Sequence, residues 1–82
     1  MRLIKIGAVW CPACLIMNSK VNKIANKLNI QVIEYDYDID SEEVKKYNVG
    51  SILPVMILEE DKEIDRLVGE HSDKEIERFL NR

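Results

Sequence analysis

The spacing of apolar and polar positions along this chain predicts seven elements. Residues 2–9 are nearly continuously apolar (Leu3-Ile4-Lys5-Ile6-Gly7-Ala8-Val9), which predicts a strand buried on both faces. From Pro12 to about Leu28 the period changes. Met17, Val21, Ile24, Ala25 and Leu28 fall at i, i+4, i+7, i+8 and i+11, one stripe of an amphipathic helix facing a sheet. Pro12 suits its first turn, where a missing N–H does no harm. Lys20, Lys23 and Lys27 lie off the stripe, and the last two suit the negative end of the helix. Ile30 to Tyr37, rich in β-branched and aromatic residues, reads as a second strand. A strand, a long helix and a strand in succession imply a parallel pair with a right-handed crossover.

A short helix follows. Asp40 with Glu43 resembles a capping box, Val44 and Tyr47 face inward, and Gly50 in the Asn48–Ser51 loop is expected to close the helix. Pro54 to Glu59 forms the third strand, with Pro54 at its start because proline cannot sit inside a central ladder. Glu60-Asp61-Lys62 is a polar break of hairpin length, so Glu63 to Val68 return antiparallel and Gly69 ends the strand. Ser72-Asp73-Lys74-Glu75 is a capping box opening a last helix, with Ile76, Phe79 and Leu80 on its inner stripe. The expected order is β-α-β-α-β-β-α: an α/β domain with a four-stranded mixed sheet and three helices, spanning residues 1–82.

Composition narrows the function classes. At 82 residues the chain is one domain with a modest core, burying roughly 60–65% of its unfolded surface. A net charge of −3 removes the electrostatic case for nucleic acid or an anionic membrane as partner. The acidic runs (Asp36, Asp38, Asp40, Glu42, Glu43; Glu59, Glu60, Asp61) read as solvated strand ends and caps. The apolar N-terminal run is short, carries Lys5 and lacks a cleavage site, so no signal peptide is expected. No segment approaches the ~18 apolar residues that span a bilayer. A cytoplasmic protein is therefore expected, and in that reducing compartment two cysteines serve catalysis or metal binding more often than a static crosslink.

Both cysteines lie in Trp10-Cys11-Pro12-Ala13-Cys14, between the first strand and the first helix. The spacing alone admits a fixed disulfide, half of a four-thiolate metal site completed by a second chain, or a reversible dithiol. Position favours the last. A thiolate at a helix N-terminus meets free N–H groups and the positive end of the helix dipole, which lower the pKa of Cys11 and make it the nucleophile. Cys14, one turn on, is placed to resolve a mixed disulfide. Trp10 beside an exposed thiol suits the rim of a binding surface. His71, the only histidine, lies far along the chain and reads as a loop residue ahead of the Ser72 cap. Tyr35, Tyr37 and Tyr47 read as packing residues.

This order of elements, with Cys-x-x-Cys at the first strand-to-helix turn, resembles the thioredoxin-like family. Trp10-Cys11 is similar to the Trp-Cys that opens the thioredoxin active site. Tyr47-Asn48-Val49-Gly50-Ser51-Ile52-Leu53-Pro54 resembles the family's Tyr-Gly-Val…Ile-Pro loop, and Leu67-Val68-Gly69-Glu70-His71-Ser72 resembles the Val-Gly-x-x-Ser that leads into the last helix. The resemblance implies a minimal thioredoxin-like fold and a thiol–disulfide oxidoreductase working through Cys11 and Cys14. It implies a cis-proline at Pro54, and a substrate groove made by Trp10, Pro12, Leu53, Pro54 and Gly69, in which the Leu53 backbone pairs with a substrate chain. The implied partners are disulfide-containing proteins and a thioredoxin reductase or another dithiol or glutathione recycling system. No bound cofactor is implied, and a monomer is expected. Two alternatives stay open: glutaredoxin-type reduction of glutathione mixed disulfides, favoured by Pro12 directly after Cys11, and a dimeric metal or iron–sulfur protein.

The chain departs from the family at the residue six before Cys11. Thioredoxins carry a buried Asp there that helps deprotonate the second cysteine; here it is Lys5. Lysine's preference for solvent predicts an exposed strand-end residue. If buried, Lys5 would instead tune the thiols, either as a neutral proton acceptor or as an ammonium paired with Glu34, Asp36 or Asp38. The Pro-Ala pair between the cysteines is a second departure, differing from both the thioredoxin Gly-Pro and the glutaredoxin Pro-Tyr.

Overall fold

The N-terminal apolar run becomes β1 (Arg2–Gly7), the central strand of the sheet. The structure, a computed structural model, describes residues 1–81. The remaining elements are α1 (Pro12–Lys27), β2 (Gln31–Asp36), α2 (Ser41–Lys46), β3 (Val55–Glu60), β4 (Lys62–Val68) and α3 (Asp73–Leu80). The sheet order is β2-β1-β3-β4. β1 runs parallel to β2, and β3 is antiparallel to both β1 and β4. Burial of Leu3, Ile4, Lys5 and Ile6 in succession follows from this central position, since both faces of β1 are covered.

Two cores lie on opposite faces of the sheet. On one, Leu3, Met56 and Leu58 pack against Met17, Val21, Ile24 and Ala25 of α1 and Ile76, Phe79 and Leu80 of α3. On the other, Ile4, Ile6, Val55 and Ile57 pack with Tyr47, Leu53, Ala8 and both cysteines, and Val44 of α2 leans on this cluster. The site thus grows out of the second core at the C-terminal end of β1. Among the described residues, no helix is long and apolar enough to cross a membrane.

Several local expectations need correction. β1 stops at Gly7 instead of Val9, because the chain turns there: Cys11 N–H donates to Ala8 O at 3.2 Å. The Asp40 carboxylate does not cap α2; its Oδ2 accepts from Asp36 N–H at 2.7 Å and tightens the turn ahead of the helix. Gly50 does not close α2. Asn48 does, at φ 57°, with Asn48 N–H on Lys45 O and Val49 N–H on Val44 O. Asn29 ends α1 in the same way, with its own N–H on Asn26 O and Ile30 N–H on Ala25 O. Asparagine tolerates the left-handed conformation that this motif requires. The break between β3 and β4 shrinks to Asp61 alone, at φ 66°, beside a register shift at Leu58/Glu59. The Ser72 capping box is present as expected, with both reciprocal bonds made.

Glu59 is buried, unlike the solvated acid its run suggested. Tyr47 Oη donates to its Oε2 at 2.8 Å and Arg2 Nε to its Oε1 at 2.8 Å, and these donors replace the lost water.

Candidate active site

Pro12 occupies the first position of α1, which makes Cys11 the N-cap. Cys11 is extended there (φ −98°, ψ 108°), and its Sγ accepts the Cys14 N–H at 3.2 Å. The thiol of the first cysteine therefore takes the place that an Asp or Ser side chain takes at other helices, satisfying an otherwise free N–H. Any negative charge on that sulfur lies at the positive end of the helix.

Cys14 sits one turn deeper, 3% exposed. Burial first, then its hydrogen bond to Cys11, pushes this thiol up to about 11, so it is neutral at physiological pH. It fits because residue 7 is glycine: a Cβ there would lie 3.2 Å from Cys14 Sγ and 3.4 Å from its Cβ. Cys11 is itself 7% exposed, not the exposed thiol expected beside Trp10, so both sulfurs are enclosed. They differ in that Cys11 caps the helix while Cys14 packs against Gly7 of β1.

The loop before β3 faces Cys11. The Leu53–Pro54 peptide bond is cis, and the Cys11 thiol lies 3.9 Å from Leu53 O. Gly69 closes this side: it adopts φ +84°, a conformation that favours glycine, and its N–H donates to Pro54 O at 2.8 Å. Cys11, Leu53, Pro54 and Gly69 are thereby brought together from three separate stretches of chain. Leu53 and Pro54 are buried, so these two residues offer a ligand backbone and not side chain. Trp10 and Pro12 are exposed beside Cys11, and Trp10 Nε1–H donates to Asp38 Oδ2 at 2.7 Å.

Sequence reasoning offered Asp38 only as a partner for Lys5, whereas it orients the tryptophan instead, and it did not single out the apolar rim. Val9 is 83% exposed and Ile52 63% exposed, and Ile52 is the nearest neighbour of Gly69's open side. Large aliphatics in two loops flanking a Cys-x-x-Cys were the available signal.

Lys5 departs from the exposed placement expected of it. Its side chain is 6% exposed, and Nζ lies 2.7 Å from Glu34 Oε1 and donates to Asn22 Oδ1 at 2.8 Å. Register explains the burial. Lys5 is directly paired with Glu34 of β2 and projects onto the face covered by α1, so the ammonium is enclosed between a carboxylate and an amide. Lys5, Glu34 and Cys14 line one cavity of about 340 Å³. His71 lies outside the dithiol: its ring nitrogens contact Glu75 Oε2 at 3.1 Å and Val68 O at 2.9 Å. Among the described residues, no three His, Cys, Asp or Glu side chains cluster as metal ligands would.

Fold and site together define the class of small α/β proteins that carry a Cys-x-x-Cys at the first strand-to-helix turn, opposite a cis-proline loop. The family model for thioredoxin matches residues 1–82, and the chain belongs to the thioredoxin family. It is 25% identical over 73 residues to thioredoxin H2 of Arabidopsis thaliana, covering 88% of this chain and 55% of the relative. It is 26% identical over 81 residues to the thioredoxin of Rickettsia bellii, covering 96% and 77%. The chain thus spans little more than half the length of thioredoxin H2. Among solved structures, thioredoxin 1 of Thermosipho africanus superposes with a TM-score of 0.84 at 24% identity over 99% of this chain and 96% of its own. Fasciola hepatica thioredoxin does so at 0.82 with 26% identity over 98% and 79%.

Proposed function

We propose that the protein is a thiol–disulfide oxidoreductase that reduces disulfides of partner proteins. The observation that carries this reading is the different placement of the two sulfurs. Cys11 Sγ caps α1, accepts the Cys14 N–H and lies 3.9 Å from Leu53 O of the cis-proline loop, while Cys14 sits one turn deeper against Gly7, where burial pushes its thiol up. Cys11 thiolate attacks one sulfur of a partner disulfide, forming a mixed disulfide and expelling the first partner thiolate. Cys14 then gives up its proton and attacks Cys11 Sγ. The Cys11–Cys14 disulfide forms, the mixed disulfide breaks, and the second partner thiolate leaves with the electron pair. Two electrons pass from the dithiol to the substrate, and a reductase or thiol pool must return them. Membership of the thioredoxin family supports this assignment and does not favour the glutaredoxin-type alternative.

In this reading a substrate chain lies along the Leu53 backbone as an added strand, between Trp10 and Pro12 on one side and Gly69 on the other. The Cys14→Ser variant is expected to accumulate mixed disulfides through Cys11, visible on non-reducing gels, and Cys11→Ser is expected to accumulate none. The reverse pattern overturns the assignment of roles. A Cys11–Cys14 potential near about −270 mV supports a reductant, and one well above about −200 mV would make the protein an oxidant or isomerase instead.

A further inference from the structure

The resolving step needs a proton acceptor. With its thiol pushed up to about 11, only roughly one Cys14 in ten thousand is ionised at pH 7, yet the thiolate is the attacking form. The titratable groups that share its surroundings are Cys11 at the helix N-terminus, Lys5 of β1, Glu34, Tyr35 and Asp36 of β2, and Asp40 before α2. Asp36 and Asp40 are already committed to the turn: Asp36 Oδ1 accepts from Asp38 N–H and Ile39 N–H, and Asp40 Oδ2 accepts from Asp36 N–H. Glu34 is different. Its carboxylate is held by Lys5 Nζ at 2.7 Å, and its side chain is 60% exposed against 6% for Lys5. One end of this ion pair reaches the cavity that Cys14 lines, and the other reaches bulk water.

We propose that Glu34, held by Lys5, is the proton acceptor for Cys14 in the resolving step, acting through water in the cavity they share. The Cys14 S–H proton passes by way of water to the Glu34 carboxylate. The Cys14 electron pair forms the bond to Cys11 Sγ, the departing partner thiolate takes the pair of the broken bond, and Glu34 then releases its proton to solvent. Lys5 is a positioning residue. Anchored by Asn22 of α1, it fixes the carboxylate, and its positive charge offsets the negative charge developing on sulfur. The polarity of the site follows from the residues of this chain: a buried ammonium with an exposed carboxylate, not a buried carboxylate. The inference rests on the dithiol reading given above.

The test is stopped-flow reaction of the reduced protein with an aromatic disulfide whose thiol is coloured. Cys11 releases one equivalent of coloured thiol and Cys14 a second. Glu34→Gln, at an exposed position, is expected to leave the first phase unchanged and to slow the second by roughly 100-fold at pH 7. The deficit should narrow as pH rises toward the range in which Cys14 ionises unaided. Lys5→Met should slow the second phase in the same sense, and Lys5→Arg, which keeps the charge, should retain most of the rate. A second phase in Glu34→Gln as fast as in the unaltered protein overturns the proposal, and so does a deficit that stays constant with pH. If the unaltered protein releases no coloured thiol in either phase, the dithiol reading falls instead.

Discussion

Tyr47 and Glu59 are joined by a buried hydrogen bond of 2.8 Å between the end of α2 and the end of β3. Arg2 holds the other carboxylate oxygen from β1, so three elements meet at one acid. The Arg2 hydrogen bond first, with the Tyr47 bond adding to it against the opposing effect of burial, lowers the Glu59 carboxyl below its ordinary range. Burial first, then the bond to Glu59, pushes the Tyr47 phenol up to about 12. Removing the phenol leaves a buried carboxylate with one donor fewer, and bonds to charged groups contribute about 1.5–3 kcal/mol. Tyr47→Phe is therefore expected to lower stability by about 2 kcal/mol in urea unfolding, a Tm decrease of roughly 10 °C. The pH limbs follow from the two shifts. Glu59, depressed in the folded state, contributes stability above its unfolded pKa, and that contribution is lost as pH falls through the folded value. Tyr47, raised, contributes below about 10, and its contribution disappears as pH climbs through about 12. Tyr47→Phe should remove the alkaline limb and move acid unfolding to higher pH. An unchanged pH profile would mean that the three residues are not coupled.

His71 gives a second pH dependence. Both ring nitrogens face acceptors, Glu75 Oε2 and Val68 O, and only the imidazolium can donate to both. The Glu75 hydrogen bond, foremost, raises the His71 pKa above its ordinary value. The same bond, with Ser72 N–H and hydroxyl, brings Glu75 down to about 2. The contribution of His71 is fully present below the unfolded histidine pKa and fades as pH rises through the raised folded value. That of Glu75 fades only as pH falls toward about 2. A histidine NMR titration should place His71 above about 6.5 in the native protein. In His71→Gln the loss of stability on going from pH 6 to 8 should vanish. A native value at or below the ordinary one would remove the charged clamp.

The core and the dithiol were legible because they rest on period and spacing. The stripe of Met17, Val21, Ile24 and Ala25 and the near-continuous β1 carry their burial in their sequence, and Cys11 with Pro12 announces a helix start. What sequence reasoning missed are charges whose burial depends on partners far along the chain. Lys5 meets Asn22 and Glu34, and Glu59 meets Arg2, 57 residues away. Propensity places such residues in water, and only the register of β1 against its neighbours reverses that. Helix ends fell between the two. Asparagine competes with glycine for the left-handed position, so Asn48, not the nearby Gly50, closes α2.

Gly7 offers the sharpest test of how closely β1 supports the resolving thiol. An added Cβ would stand 3.2 Å from Cys14 Sγ and 3.4 Å from its Cβ, so Cys14 must yield by a few tenths of an ångström. The backbone at Gly7 is strand-like and needs no glycine, which leaves the contact with Cys14 as the reason for the residue. Overpacking of this kind costs about 1–3 kcal/mol, and one methyl group belongs at the lower end. Gly7→Ala is expected to fold, to lose about 1 kcal/mol in urea unfolding, and to form the Cys11–Cys14 disulfide more slowly because the attacking sulfur is displaced. Mixed-disulfide formation at Cys11, which does not touch the added methyl, should keep its rate. If disulfide closure in Gly7→Ala matches the unaltered protein while stability falls, then Cys14 has room to shift, and the fit against β1 serves packing alone.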